Sequence, residues 1–417
     1  MNTLPPLALY VHMPWCVRKC PYCDFNSHVA PESIPQRQYI DALLEDLAID
    51  AGAAQGRALV SIFFGGGTPS LFAPDEVGRF LERARSLVGF APDVEITLEA
   101  NPGTVEHGRF NGYRDAGINR VSLGAQTFDA DHLRTLGRIH GSGDIARAVD
   151  EVRSAGIDNF NLDLMYGLPA QTLQQALADL DAALALEPAH VSHYQLTLEP
   201  GTVFYHRPPP LPESDAIWQM QLECQQKLAA LGYEHYEVSA YARPGRRSRH
   251  NVNYWQFGDY VGVGAGAHGK LTSRASSEGA RLAIVRSARI KQPREFLRRA
   301  AAERVSDRFE VETADLPFEY MLNVLRLTDD FDAAGFEART GLAFETIASS
   351  LAEAERKRLV EQTGAGKWRV TELGQRFLND LQAVFLPEKA SAGQPAKTTA
   401  GSIWRSEERR VGKECRS

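Results

Sequence analysis

The sequence lacks most of what would mark it for a membrane, for export or for nucleic acid. No apolar run approaches the roughly eighteen residues needed to span a bilayer. The amino terminus, MNTLPPLALYVHM, has no basic flank, and Pro5 and Pro6 interrupt its apolar stretch, so it does not read as a secretory signal. Basic residues are in deficit, 46 against 53 acidic for a net charge of −7, which leaves no general field favouring polyanions. Cysteine is scarce and uneven. Of the 5, Cys16, Cys20 and Cys23 share one short segment while Cys224 and Cys415 stand alone. That is no framework for disulfides. These absences predict a cytoplasmic protein whose clustered thiols serve as metal ligands.

What is present is the composition of a soluble globular chain. The 417 residues are 43% hydrophobic and 24% charged, enough for two or three domains with a sizeable core. The first half repeats a β-rich run, a turn and an amphipathic helical stretch. Strands are expected at Leu7–Met13, Leu59–Phe64, Val94–Ala100, Arg120–Gln126, Asn159–Tyr166 and Val191–Leu198. Helices are expected at Gln36–Asp50, Asp75–Val88, Thr104–Ala116, Ile145–Ala155 and Leu173–Leu186. Gly117 and Gly156 follow two of these helices as stop signals. Such alternation implies an α/β fold with right-handed crossovers and a parallel sheet, either an open barrel or a doubly wound sheet.

After Leu198 the pattern shifts. Proline-rich Tyr205–Glu213 reads as a linker and Asp215–Leu231 as a helix, with Cys224 on its buried side. Tyr241–Gly269 reads as irregular and Ser276–Arg289 as an antiparallel pair. Beyond Val305, helices at Pro317–Leu327, Asp332–Arg339 and Phe344–Arg358 precede a hairpin across the turn Thr363–Gly366 and a last helix at Glu372–Phe385. Helices followed by a hairpin wing suggest a small winged-helix-like module. The expected divisions are 1–240, a connecting region 241–304, a C-terminal domain 305–387 and a tail 388–417.

The strongest chemical signal is Cys16-Val-Arg-Lys-Cys20-Pro-Tyr-Cys23, placed just after the first strand. Thiolates three and four positions apart on a loop can converge on one polynuclear centre. Structural zinc usually takes four ligands, and His12 and His28 do not complete a familiar zinc spacing. The second signal is Gly65-Gly66-Gly67-Thr68-Pro69, whose glycines let backbone approach a ligand closely. It has neither dinucleotide-fingerprint nor P-loop spacing. The third is positional: Glu99, Gln126 and Asp163 end or interrupt otherwise apolar strands, where barrel proteins carry working residues.

CxxxCxxC after the first strand of a β/α chain resembles the radical S-adenosylmethionine (SAM) superfamily. The likeness implies a [4Fe–4S] cluster on Cys16, Cys20 and Cys23 and a partial (β/α)6 TIM-like barrel. It also implies SAM at the open iron, cleaved by one electron to methionine and a 5′-deoxyadenosyl radical. Tyr10, Tyr22, the GGGTP run, Glu99 in LEANP, Gln126 in GAQTF, Arg138 in LGRIH and Asp163 in LDLMYGLP narrow the resemblance. They are similar to the oxygen-independent coproporphyrinogen III oxidase-like family and its HemW-type haem-chaperone branch. By that likeness Gly66, Gly67, Thr68 and Glu99 hold the amino end of SAM and Arg138 pairs with its carboxylate. Gln126 and Asp163 bind the ribose hydroxyls, and Tyr22 and Gln195 lie near the adenine. Tyr10 belongs to the same cofactor-binding set.

Two departures favour the chaperone branch over the oxidase. Fifteen residues precede Cys16 where the oxidase has a long extension, and Phe25 stands where the oxidase has a further cysteine. A third feature, His250-Asn-Val-Asn-Tyr254-Trp255, resembles the chaperones' HNxxYW motif. It would offer His250 as an axial haem ligand, Tyr254 and Trp255 as a stacking wall, and Arg246, Arg247 and Arg249 for the propionates. The resemblance implies haem as cargo and apo-haemoproteins as acceptors, respiratory and membrane-associated ones included. An electron donor for the cluster and a homodimer are also implied, and coproporphyrinogen oxidase activity is not expected. The alternatives are the decarboxylating oxidase itself and a radical SAM enzyme acting on nucleic acid through the winged helix. Mixed charge over Val305–Leu386 argues against the latter, so no nucleic acid is expected as a partner.

The tail Glu388–Ser417 is polar and lacks hydrophobic period, which predicts disorder. Its end, RSEERRVGKECRS, resembles the translated frame of a sequencing adapter and takes Cys415 out of functional consideration. Deleting Glu388–Ser417 should leave the melting temperature and the iron content unchanged. A fall of several degrees in a thermal scan would show that the segment docks.

Overall fold

The computed structural model describes residues 4–103, 108–274 and 282–387. The expectations for the tail and for the start of the Thr104–Ala116 helix lie outside them. Strands Leu7–Met13, Leu59–Gly66, Phe90–Ala100, Arg120–Gln126, Phe160–Tyr166 and His190–Gln195 pair in sequence order, all parallel. The intervening helices are Gln36–Ala51, Pro74–Val88, Phe110–Ala116, Ser142–Ser154 and Leu173–Leu184. The last begins in a reciprocal cap, Thr172 Oγ1 accepting from Gln175 N while Gln175 Oε1 accepts from Thr172 N. Gly117 follows Ala116 at φ +110°, the left-handed stop its position predicts.

Within each strand the two faces differ. Leu7, Leu9, Val11, Ile62, Phe64, Ile96, Leu98, Val121, Leu123, Leu162 and Leu164 share one apolar core with helix residues such as Leu43, Phe80, Val149 and Leu180. The alternate positions are polar and meet one another: Ser122 with Asp163, Asn161 with Ser122 and His190, and His190 with Tyr236. Period-two alternation therefore separates a helix-covered outside from a polar interior, the arrangement of an open barrel.

The connecting region 241–304, expected to be irregular over Tyr241–Gly269, instead continues the same 12-stranded sheet, and the first part of the pair expected at Ser276–Arg289 lies outside the described residues. Asp259–Val263 pairs in parallel with Leu7–Met13. His268–Arg274, Leu282–Arg289 and Val305–Glu310 follow as antiparallel strands, and Glu234–Glu237 and Ala240–Ala242 extend the opposite edge. Arg249–Trp255 is a helix capped by Ser248. Long-range pairing made this segment ordered. Its glycines suggested a turn because they permit close approach, and here Gly262 abuts the backbone of His268.

Buried charges stitch the added strands to the barrel. Asp259, fully buried, accepts from Arg57 at 2.6 Å, Lys270 at 3.0 Å, Thr272 N at 2.9 Å and Thr272 Oγ1 at 2.7 Å. Arg289 joins Asp46 and Asp50 of the first helix at 2.6 Å each. The C-terminal unit has helices Leu316–Val324, Ala333–Thr340 and Ala348–Arg356 and a hairpin, Val360–Gly364 with Lys367–Val370. Phe331–Asp332 adds a third strand to that wing. The last helix is broken into Glu372–Arg376 and Leu378–Ala383. This unit has its own core, which Trp255, Phe257 and Ile284 enter from the barrel side.

Against the push of burial, Lys270 and Arg57 hold the Asp259 carboxyl below its ordinary range. Its stabilising contribution is therefore present above the unfolded carboxylate pKa and is lost only as pH falls through the lower folded value. Asp259→Ala would strand a buried ammonium and should cost about 3–5 kcal/mol in denaturant melts at neutral pH. A loss under ~1 kcal/mol, the scale of an exposed pair, would show that the hub does not hold the added strands.

Candidate functional site

The cysteine loop is hung over the C-terminal ends of the strands by backbone. Gly67 N donates to Met13 O and Thr68 N to Trp15 O, each at 2.8 Å. A Cβ on Gly67 would lie 2.6 Å from Trp15 O, and one on Gly66, at φ +106°, would run into the His12 ring. No other residue type fits there. Trp15–Cys16 pairs in parallel with His28–Val29, so the loop returns on itself. Lys19 Nζ then ties its turn by donating to Phe25 O and Ser27 O.

A cavity of about 930 Å³ opens beneath this loop. Cys16, Cys20, Cys23, Tyr22, Gly66, Gly67, Thr68, Glu99, Gln126, Arg138, Asp163 and Gln195 all line it. Arg138 donates through Nη1 to Cys20 Sγ at 3.8 Å and through Nη2 to Gly124 O at 2.6 Å and to Asn101 Oδ1. Glu99 Oε2 accepts from Gly66 N at 3.2 Å. Tyr194 Oη donates to Gln126 Oε1 at 2.7 Å, and Gln126 itself sits at φ +68°, a conformation non-glycine residues seldom adopt. Asp163 accepts from Asn161 at 2.6 Å and Ser122 at 3.1 Å, and burial raises its carboxyl to about 6.

The donor set fits an iron–sulfur cluster. All three cysteines are free of disulfides and line one cavity. Three thiols around a common space, with no fourth protein ligand beside them in the sequence motif, suit a cluster with one open iron, where structural zinc usually takes four ligands. Burial pushes the Cys16 thiol up to about 12 and raises that of Cys23.

Two expected residues lie elsewhere. Tyr10 sits below the cavity, its Oη 3.1 Å from His12 Nδ1 and its ring stacked on Phe63. His250 is deeper still. Glu95 accepts from the backbone N–H of Arg249 at 2.9 Å and of His250 at 3.3 Å, which draws the helix start into the interior. There the His250 ring stacks on Phe63 at 5.0 Å and contacts Ser61. Glu95 lies four residues before Glu99 on the same strand face, a drop of about 13 Å at ~3.3 Å per residue. Burial, then the Arg120 charge, lowers His250 to about 3. On the expected haem face, Arg246–Trp255, Trp255 is buried under Arg326, Arg247 pairs with Asp329 and Glu234, and Arg249 pairs with Asp93.

Asn101, Ser122, Gly124 and Tyr194 also line the cavity and were missed from the sequence. Asn101 and Gly124 each had a signal, one following Glu99 beyond a strand end and the other lying two residues before Gln126. Tyr194 had none, since the interior-facing register of His190–Gln195 emerges only from its pairing with Phe160–Tyr166.

The chain also has relatives among known proteins. Residues 10–183 match the Radical SAM superfamily model and residues 311–377 the HemN C-terminal domain. The chain is 47% identical over 388 residues to the haem chaperone HemW of Escherichia coli K12, covering 93% of this chain and all (100%) of that one. It is 46% identical over 393 residues to that of Haemophilus influenzae, with 93% and 100% covered. The fold superimposes on coproporphyrinogen III oxidase (HemN) from Escherichia coli with a TM-score of 0.77, 23% identity and 92% and 90% coverage.

Anaerobic reconstitution with iron and sulfide should give about four irons per chain. Replacing Cys16, Cys20 or Cys23 singly by Ala should remove the cluster absorbance. Retention of that absorbance in the triple variant would place the iron on other ligands.

Proposed function

We propose, from the premise that the chain belongs to the HemW haem-chaperone family of the radical SAM superfamily, that it binds haem and passes it to apo-haemoproteins. The observation that carries the reading is the convergence of three thiols with Glu99, Arg138 and Asp163 on one cavity. In a protein related over nearly its whole length to haem chaperones, that cavity is the place for the family's resident cofactors. When bound, a [4Fe–4S] cluster with SAM supplies one-electron chemistry at its open iron.

The chain's own residues then have separable tasks. Gly67 N and Thr68 N are already engaged by the cysteine loop, so this segment offers an ammonium acceptors only: glycine carbonyls and Thr68 Oγ1, with the Glu99 carboxylate beside them. Arg138 matches a carboxylate through its guanidinium fork. Gln126 and Asp163 accept from ribose hydroxyls, while Tyr22 and Gln195 flank the adenine. Tyr10 supports the floor through His12 and Phe63. An electron donor serves the cluster. The acceptors are apo-haemoproteins, membrane-associated respiratory ones among them, reached from the cytoplasm by a protein that works as a homodimer. No described helix is long and apolar enough to cross a membrane.

Arg138→Ala and Asp163→Ala should each weaken SAM binding to the cluster-loaded protein by about 1.5–3 kcal/mol in calorimetry. Because burial raises the Asp163 carboxyl to about 6 and its ionised form is the better acceptor for ribose hydroxyls, SAM affinity should fall as pH drops from 7 to 5. A flat profile, or wild-type affinity in both variants, would contradict the assigned roles.

Haem should bind near one per chain, and coproporphyrinogen III should release no carbon dioxide. Turnover of coproporphyrinogen with SAM cleavage would establish the oxidase instead.

A further inference from the structure

A second cavity, of about 590 Å³, lies on the other side of the cysteine loop. Arg18, Cys20, Thr68, Asn101 and Arg138 line both spaces and so form the partition between them. The rest of the second wall includes Val17, Leu71, Pro102, Ile139 and His140. None of these lines the cluster and SAM cavity. Val17 is 48% exposed and Ile139 60%, unusual for large apolar side chains standing together at a cavity mouth.

His140 gives this space a chemical character. Its Nε2 lies 3.4 Å from Ala125 O, so a proton on Nε2 leaves the Nδ1 lone pair for another partner. Burial, then the neighbouring Arg138 charge, holds the imidazole down to about 4, and it is neutral at physiological pH. A backbone carbonyl orienting one ring nitrogen while the other stays free is the usual disposition of a metal-ligating histidine. Gly137, at φ +72°, makes the turn from which Arg138 and His140 both reach inward while Ile139 stays exposed.

We infer that this second cavity is the haem site, with His140 as the axial ligand, Val17, Leu71 and Ile139 as the apolar wall and Arg18 as a propionate partner. The inference rests on the haem-chaperone reading and names the site that reading needs, since His250 is committed to the interior. Haem requires a nitrogen donor, an apolar face and cations for its carboxylates, and the walls of this cavity supply all three. Arg138 and Cys20 belong to both cavities. Filling the first therefore sets one wall of the second, which couples cofactor loading to haem seating.

The test uses the full-length, cluster-loaded protein titrated with haemin and read by Soret absorbance. His140→Ala should shift the Soret maximum and weaken haem by about tenfold or more. Added imidazole should restore the wild-type spectrum in His140→Gly. Ile139→Asp, a change at an exposed position, should weaken haem by about the same factor with iron content and melting temperature unchanged. His250→Ala should keep the wild-type Soret maximum. Wild-type spectra and affinity in both His140→Ala and Ile139→Asp would overturn this site and leave the chaperone reading standing. Failure of the wild-type protein to bind haem would overturn that reading, and the site with it.

Discussion

The structure depends on one close backbone approach, that of Gly66-Gly67-Thr68 to Met13–Trp15. Two hydrogen bonds of 2.8 Å carry the cysteine loop across the ends of the parallel strands, where a side chain at either glycine would collide with Trp15 O or the His12 ring. Once the loop is held there, three thiols face a cavity floored by the polar ends of neighbouring strands. Both cavities are products of this contact, because the loop it holds forms the roof of one and part of the wall of the other.

The barrel interior is polar along much of its depth, and its charges have to be paired where they lie. Asp163 is satisfied from Asn161 and Ser122, Asn161 from His190, and His190 from Tyr236. At the other end, Glu95 takes the first N–H groups of the Arg249–Trp255 helix, which plugs the interior with His250. A buried carboxylate left without donors costs several kcal/mol, so the helix start and Glu95 need each other. This pairing accounts for a His-Asn-rich helix whose polar side chains are buried far from the cluster. The same segment contributes Trp255 to the C-terminal core, so one short helix contacts both units.

Much of the architecture was legible in the sequence because it rests on local periodicity. The parallel strands and their helices fall within a few residues of their expected bounds, and the winged unit follows its pattern of helices and hairpin. The exceptions are instructive. Asp259–Val263 is short, lies in a stretch rich in glycine and is preceded by a polar helix, so nothing local marks it as a strand. It becomes one because Leu7–Met13 presents an open parallel edge and because Arg57 and Lys270 meet Asp259 there. The Gln126 conformation likewise has no local cause, since it arises where the strand end turns into the cavity.

Residue types and spacing by themselves pointed to Cys16, Cys20 and Cys23 and carried the resemblance to radical SAM proteins, because three thiols in one short loop have few other uses. They also determined which strand ends carry polar groups, through strict alternation. Tertiary structure alone decided which side of the barrel each motif occupies. His250 looked like a haem ligand from its neighbours in sequence, whereas Glu95, 155 positions away, draws it into the interior. His140, unremarked within LGRIH, lines an apolar cavity because the turn at Gly137 places it beside Val17 and Leu71, residues far away in the chain. The physical reason is the same in both cases. Burial and hydrogen-bond partners are set by segments that meet only after folding, and these decide which space an imidazole faces.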